Sequence, residues 1–200
     1  MAIIVKSLGM TNATVRYYSR KLKKKEDVAE GVLDVIKHIV ANAERGSVFR
    51  LGYGGVLDKD DYVLKLRVVE LETFENSENE NALAIKKIVE DVTKKPAIVK
   101  NRLIRFDVTI RDLVSLGTVE ANRVDVVSEG FDIRKIKEVE KMSKKIAKKI
   151  PHAYVYVIVK RHKWMYSYID VRLPVPNEDI YQLSQILDYK NVDMIKIDKR

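Results

Sequence analysis

Between His152 and Leu173 the chain reads HAYVYVIVKRHKWMYSYIDVRL, and this alternation constrains the fold more than any other stretch. Tyr154, Tyr156 and Ile158 fall on one side of the first run, and Val155, Val157 and Val159 on the other. After a basic turn, Lys160-Arg161-His162-Lys163, the residues Trp164, Tyr166, Tyr168, Asp170 and Arg172 alternate with Met165, Ser167, Ile169, Val171 and Leu173. A period of two with β-branched and aromatic residues predicts two strands of an antiparallel hairpin. One face is apolar and belongs in a core. The other is aromatic and polar and needs a partner that the alternation does not name.

The flanking sequence supplies the remaining elements. Short strands are expected at Ala2–Val5 and Thr14–Arg20. They precede a helix over 26–45 whose apolar stripe is Val28, Val32, Val35, Ile36, Ile39, Val40 and Ala43. Strands follow at 47–51 and 62–73, with Gly52-Tyr53-Gly54-Gly55 between them marking a bulge or bend. Ser77 and Glu80 read as a capping box for a second helix with Ala82, Ile85, Ile88, Val89 and Val92 inward. A strand returns over 103–110. From Asn122 the same order recurs: a strand at 123–127, a helix capped by Asp132 with Ile136, Val139, Met142, Ile146 and Ile150 inward, the hairpin, a helix capped by Asn177, and a last strand at 192–197.

The order β-α-β-β-α-β therefore occurs twice. The expected fold class is α+β, a tandem duplication of a ferredoxin-like unit, with antiparallel sheets and helices on one face. The expected organisation is a first unit over 1–112 with an extra N-terminal strand, a short linker at 113–121, and a second unit over 122–200. The extra strand is a candidate to extend a sheet edge or to bind a second copy. At the level of fold, tandem ferredoxin-like units resemble the CRISPR RNA-processing endoribonucleases and their relatives. Those usually carry a glycine-rich segment near the end of the second unit. Residues 131–200 here contain no glycine, so no catalytic residue is carried over and no family is assigned.

Composition narrows the function classes. The 200 residues contain no cysteine, which removes disulfides, thiolate nucleophiles and cysteine-ligated zinc together. No apolar run approaches the roughly 20 residues needed to span a bilayer, and MAIIVKSLGM is too short in its apolar part for a signal peptide. Cytoplasmic location is the expectation. Abundant Lys, Glu, Ile and Val point to a thermophilic source, read as an archaeon or its mobile elements. The net charge of +9 is shared by both halves, and a basic balance favours a polyanionic partner.

Two surfaces could carry that charge. By alternation, Arg16, Tyr18 and Arg20, then Lys65 and Arg67, then Arg105, share the face opposite the core of the first half, and Arg50 joins them. Such a face suits phosphate-backbone contact, or else it is solvated and paired by Asp107 and Glu70. The helix over 133–150 adds a lysine face that includes Lys141, Lys145 and Lys149. The rings of Tyr154, Tyr156, Trp164, Tyr166 and Tyr168 fit base stacking, but fit packing against the first half or another copy better.

Catalytic signals are weak. His38 lies beside its helix stripe and reads as a surface residue, while His152 and His162 sit at opposite ends of one strand, too far apart to share a metal. His162 with Lys160, Arg161 and Tyr166 could support metal-free RNA cleavage, the third-ranked reading. Asp58, Asp60 and Asp61 read as solvated turn residues. No cofactor or metal is expected. The leading expectation is a non-enzymatic nucleic-acid-binding protein. Behind it stands a self-assembling protein that uses the aromatic hairpin in a homodimer.

Overall fold

A computed structural model describes residues 3–8, 14–18, 32–53, 62–75, 78–161, 165–186 and 192–198. The chain is mixed α+β. Its strands are β1 (Ile3–Leu8), β2 (Thr14–Tyr18), β3 (Val48–Tyr53), β4 (Tyr62–Glu75), β5 (Ile98–Ile110), β6 (Val114–Glu129), β7 (Tyr154–Arg161), β8 (Met165–Val175) and β9 (Val192–Asp198). Its helices are α1 (Val32–Asn42), α2 (Glu80–Thr93), α3 (Ile136–Lys149) and α4 (Glu178–Ile186), with a 3-10 turn at Ile133–Lys135 leading into α3. The succession of elements follows the sequence expectation. The pairing of strands does not reproduce two consecutive units.

Packing divides the chain into two compact units, each assembled from three separate segments. Unit I comprises Met1–Lys24, Phe74–Asn101 and Val124–Leu173, and unit II comprises Lys25–Thr73, Arg102–Arg123 and Pro174–Arg200. The long strands β4, β5 and β6 each supply residues to both. Of the stretch 113–121, expected as a linker, residues 114–121 are instead the first half of β6. Its β-branched residues continue the chain directly out of a tight turn after β5, so no slack remains there.

In unit II the neighbouring strands run β6-β5-β4-β3-β9. β9, from the far end of the chain, lies antiparallel to β3, with Phe49 opposite Ile197 and Leu51 opposite Ile195. β3 and β4 form the expected hairpin, in which Phe49 faces Leu66 and Leu51 faces Leu64. Register shifts at Gly52 in both pairings, where the glycine-rich segment was expected to bulge. The core of this unit joins Ile36, Ile39 and Val40 of α1 to Phe49, Leu66, Ile104 and Phe106 of the sheet and to Ile180 and Leu183 of α4. Phe49 and Phe106 meet edge to face, with centroids 6.3 Å apart.

One residue that periodicity does not mark holds α1 in place. Arg123, only 3% exposed, donates from Nη1 to the carbonyls of Val40 (2.7 Å), Ala41 (3.2 Å) and Ala43 (2.9 Å). The last carbonyls of a helix have no partner within the helix, and a cation there also meets the negative end of the helix dipole.

In unit I the order is β2-β1-β7-β8-β6. The N-terminal strand is not an unpaired extra: β1 lies between β2, antiparallel, and β7, parallel, with Val5 opposite Val157. The hairpin pairs as its alternation requires, Tyr154 with Arg172, Tyr156 with Asp170 and Val157 with Ile169. Val155, Tyr156, Val157 and Ile158 are all at most 1% exposed, so β7 is buried on both faces. The open aromatic face expected of a ferredoxin-like half is therefore absent along these residues.

Helix caps are mostly where the sequence placed them. Asp132 accepts from the Arg134 amide ahead of α3, and Asn177 Oδ1 accepts from the Ile180 amide at 3.0 Å at the start of α4. For α2 the cap is Asn79, accepting from the Ala82 amide, and not Ser77; Ser77 lies outside the described residues. α3 buries Val139, Met142 and Ile146 as its stripe requires, and packs against α2. Replacing Arg123 with Met leaves buried carbonyls unsatisfied and is expected to cost about 3 kcal/mol. A urea titration of the variant, followed by circular dichroism, measures this.

Candidate functional site

The outward face of β3 and β4 in unit II carries a group of basic residues on described strands. Alternation decides this locally. Phe49 and Leu51, and Leu64 and Leu66, must be inward because they are apolar, so Arg50 and Lys65 between them are outward. The two are directly opposite each other in register. On its other side Arg50 has Lys196 of β9 as register partner. Three basic residues thus occupy one cross-strand row, Lys196-Arg50-Lys65. Like charges directly opposite one another destabilise a sheet, so this row is favourable only with anionic company.

Part of that company is internal. Asp112, at the turn between β5 and β6, forms an ion pair with Lys65 Nζ. Its carboxyl is held below the usual aspartate range, first by the Lys65 hydrogen bond and then by the charges of Lys65, Arg50 and Arg67. Those three cations therefore converge on one carboxylate. Arg67 is exposed. Lys65 is largely covered, its side chain 15% exposed, while that of Asp112 is 62% exposed.

Arg105 behaves differently. On β5 it donates to Glu120 of β6 at 3.0 Å and 2.8 Å and pairs also with Glu70 of β4. The Glu120 hydrogen bond, followed by the Glu70 charge, raises its already high pKa. It is a structural cross-strand cation with two carboxylates of its own. Asp107, next on the same face, accepts from the Thr118 hydroxyl at 3.4 Å. The expected basic face is thus basic at β3 and β4 and paired at β5 and β6.

The other sequence candidates lie elsewhere. Arg16 and Tyr18 occupy β2, in unit I, opposite Val5 and Ile3 of β1, and are not part of the β3–β4 patch. Arg20 and Trp164 lie outside the described residues, as do His162 and the Asp58, Asp60 and Asp61 turn. Lys141, Lys145 and Lys149 are exposed on α3, one turn apart. Tyr154 and Tyr168 are half-buried, Tyr156 is fully buried, and Tyr166 stands opposite Lys160 in the β7–β8 register. Lys196 was not a candidate from sequence. Its alternation with Ile195 and Ile197 was legible, but not its neighbour Arg50, which is 146 positions earlier in the chain.

The polar residues of the hairpin form a second, closed cluster in unit I. Arg172 Nε donates to Asp170 at 2.8 Å, with both side chains at most 6% exposed. The guanidinium lies 4.4 Å from the centre of the Tyr156 ring. Burial disfavours its charge, but Asp170, Asp125 and Tyr156 outweigh that and hold its pKa above the ordinary value. No substrate reaches groups this deep, and the cluster is structural. Among the described residues no group of three His, Asp or Glu side chains is placed to hold a metal ion. No helix there is long and apolar enough to cross a membrane.

Comparison of the chain with protein-family models, curated proteins and solved structures finds no match.

His38, expected at the surface, is half-buried on α1, and burial pushes its imidazole pKa below the ordinary 6.5. The folded state thus prefers neutral His38, and the unfolded chain takes up its proton first as pH falls. Stability associated with this group is complete above pH 6.5 and declines as pH drops through the folded-state value. The urea midpoint of wild type should fall more steeply than that of His38→Gln between about pH 7 and 5. Parallel curves for the two proteins would contradict this assignment.

Proposed function

We propose that the protein is a non-enzymatic nucleic-acid-binding protein that contacts the phosphate backbone through the outward face of β3 and β4. The observation that carries this reading is the cross-strand pair Arg50-Lys65 on the outward face, with exposed Arg67 on the same face and the charges of all three felt by Asp112. A sheet gains nothing from opposing like charges unless an anion lies across them. A phosphodiester backbone supplies such anions at regular spacing and releases its counterions on contact. The net charge of +9 and the exposed lysines of α3 support the same reading, because they add long-range attraction for a polyanion. The twice-repeated β-α-β-β-α-β order further supports descent from a duplicated ferredoxin-like unit, over 1–112 and 122–200, whose strands exchanged neighbours. A site of this kind reads charge and shape, and it needs no cofactor.

Fluorescence anisotropy with labelled DNA and RNA oligonucleotides tests the proposal. Binding should weaken steeply with salt. The triple variant Arg50→Ala/Lys65→Ala/Arg67→Ala should bind more weakly and lower the slope of log affinity against log salt by roughly 2 to 3. Absence of binding at about 50 mM salt, where such contacts are strong, would sink the proposal.

Asp112 offers a test in the opposite direction. Its carboxylate pairs with Lys65 and feels the charges of Arg50 and Arg67, so a phosphate oxygen would compete with it. Asp112→Asn removes that charge and retains a side chain that tolerates a left-handed backbone. The same titration should show tighter binding and a steeper salt dependence. Unchanged affinity would place the nucleic acid away from this carboxylate.

A further inference from the structure

The turn that carries Asp112 also presents apolar side chains that no packing need explains. Arg111 and Asp112 have φ of +49° and +57°, and the Leu113 amide donates to the Ile110 carbonyl at 2.9 Å. This is a two-residue hairpin turn with both central residues left-handed, the geometry that Asn-Gly fills without strain. An arginine at the first position stores strain in order to hold a cation at the tip. Immediately after it, Leu113 is 85% exposed, Val114 55% and Leu116 40%, and every residue from 111 to 118 is exposed. A hydrophobic residue as exposed as Leu113, on a rigid turn and beside the Arg50-Lys65-Arg67 group, forms an apolar tip with a cationic base.

We infer that this hairpin tip is a wedge that enters an opened base step of the bound nucleic acid, with Leu113, Val114 and Leu116 against base faces. The inference rests on the nucleic-acid reading above and extends it. Phosphates and sugars offer leucine no apolar surface, whereas base faces do. In a duplex these faces are accessible only where a step is unstacked, as apolar wedges in other nucleic-acid-binding proteins exploit. The flanking cations meet the backbone on either side of the step, and Arg111 at the turn adds a charge beside the point of entry. Charge complementarity selects this occupant over an apolar protein surface, which would desolvate exposed Arg111 and Arg67 without supplying an anion.

The test uses DNA and RNA duplexes, each with one 2-aminopurine beside a central unpaired base and a second dye for anisotropy. With wild type, saturating protein should change 2-aminopurine emission as the tip displaces the neighbouring base. The variant Leu113→Ser/Leu116→Ser, at exposed positions that leave the core untouched, should still bind with the same salt slope. It should lose the emission change and bind about tenfold more weakly, as expected for losing one base contact. Wild-type binding without any emission change, or an equal change with the variant, overturns the wedge and leaves the backbone reading standing. Absence of binding by both proteins removes the parent reading and the wedge with it. A wild-type dimer in sedimentation that the serine variant converts to monomer also overturns the wedge, because the tip then belongs to a second copy of the chain.

Discussion

A guanidinium buried beside two carboxylates dictates how unit I can be assembled. Arg172 is sheltered from water, and a charge in that position is tolerated only where Asp170, Asp125 and the Tyr156 ring meet it. Because strand side chains alternate with a period of two, a slip of one residue between β7 and β8 would carry Arg172 to the face of Val155 and Val157. Asp170 would move with it, but Asp125 and the Tyr156 ring would no longer meet it. The cluster therefore specifies register in strands whose apolar residues alone would accept several, and it explains why an aromatic and polar face can be internal.

Unit II solves an equivalent problem with Arg123, whose guanidinium satisfies three carbonyls at the end of α1. Both arginines are buried. Arg50, Lys65 and Arg67 are chemically similar but lie on the face that the core does not use. The division between buried and outward cations therefore follows from which strand face the neighbouring apolar residues occupy. Arg105 is also on the outer face, but there Glu70 and Glu120 pair with it from adjacent strands.

The proposed contact surface depends on the fold at two levels. The β3–β4 hairpin sets Arg50 opposite Lys65 through local pairing. The β5–β6 turn brings Asp112 to Lys65, and β9 adds Lys196 from the end of the chain. The turn is tight because Arg111 and Asp112 accept left-handed backbone angles, and this same tightness pushes Leu113 into solvent. Charge, strain and exposed apolar surface thus converge on one end of unit II.

The sequence by itself determined the succession of elements, the caps at Asp132 and Asn177, the inward stripes of α2, α3 and α4, and the β7–β8 and β3–β4 hairpins. Each depends on interactions between residues close along the chain, which periodicity and turn chemistry record. Only the tertiary structure decided that β9 pairs with β3 and β1 with β7, that 114–121 is strand, that Tyr156 is internal, and that Arg105 is paired with Glu70 and Glu120 while Lys196 is in register with Arg50. These outcomes depend on which distant strand edge a strand meets. Backbone hydrogen bonds along such edges are nearly the same for every partner, so the choice rests on summed packing and charge across the whole sheet, which no local pattern encodes.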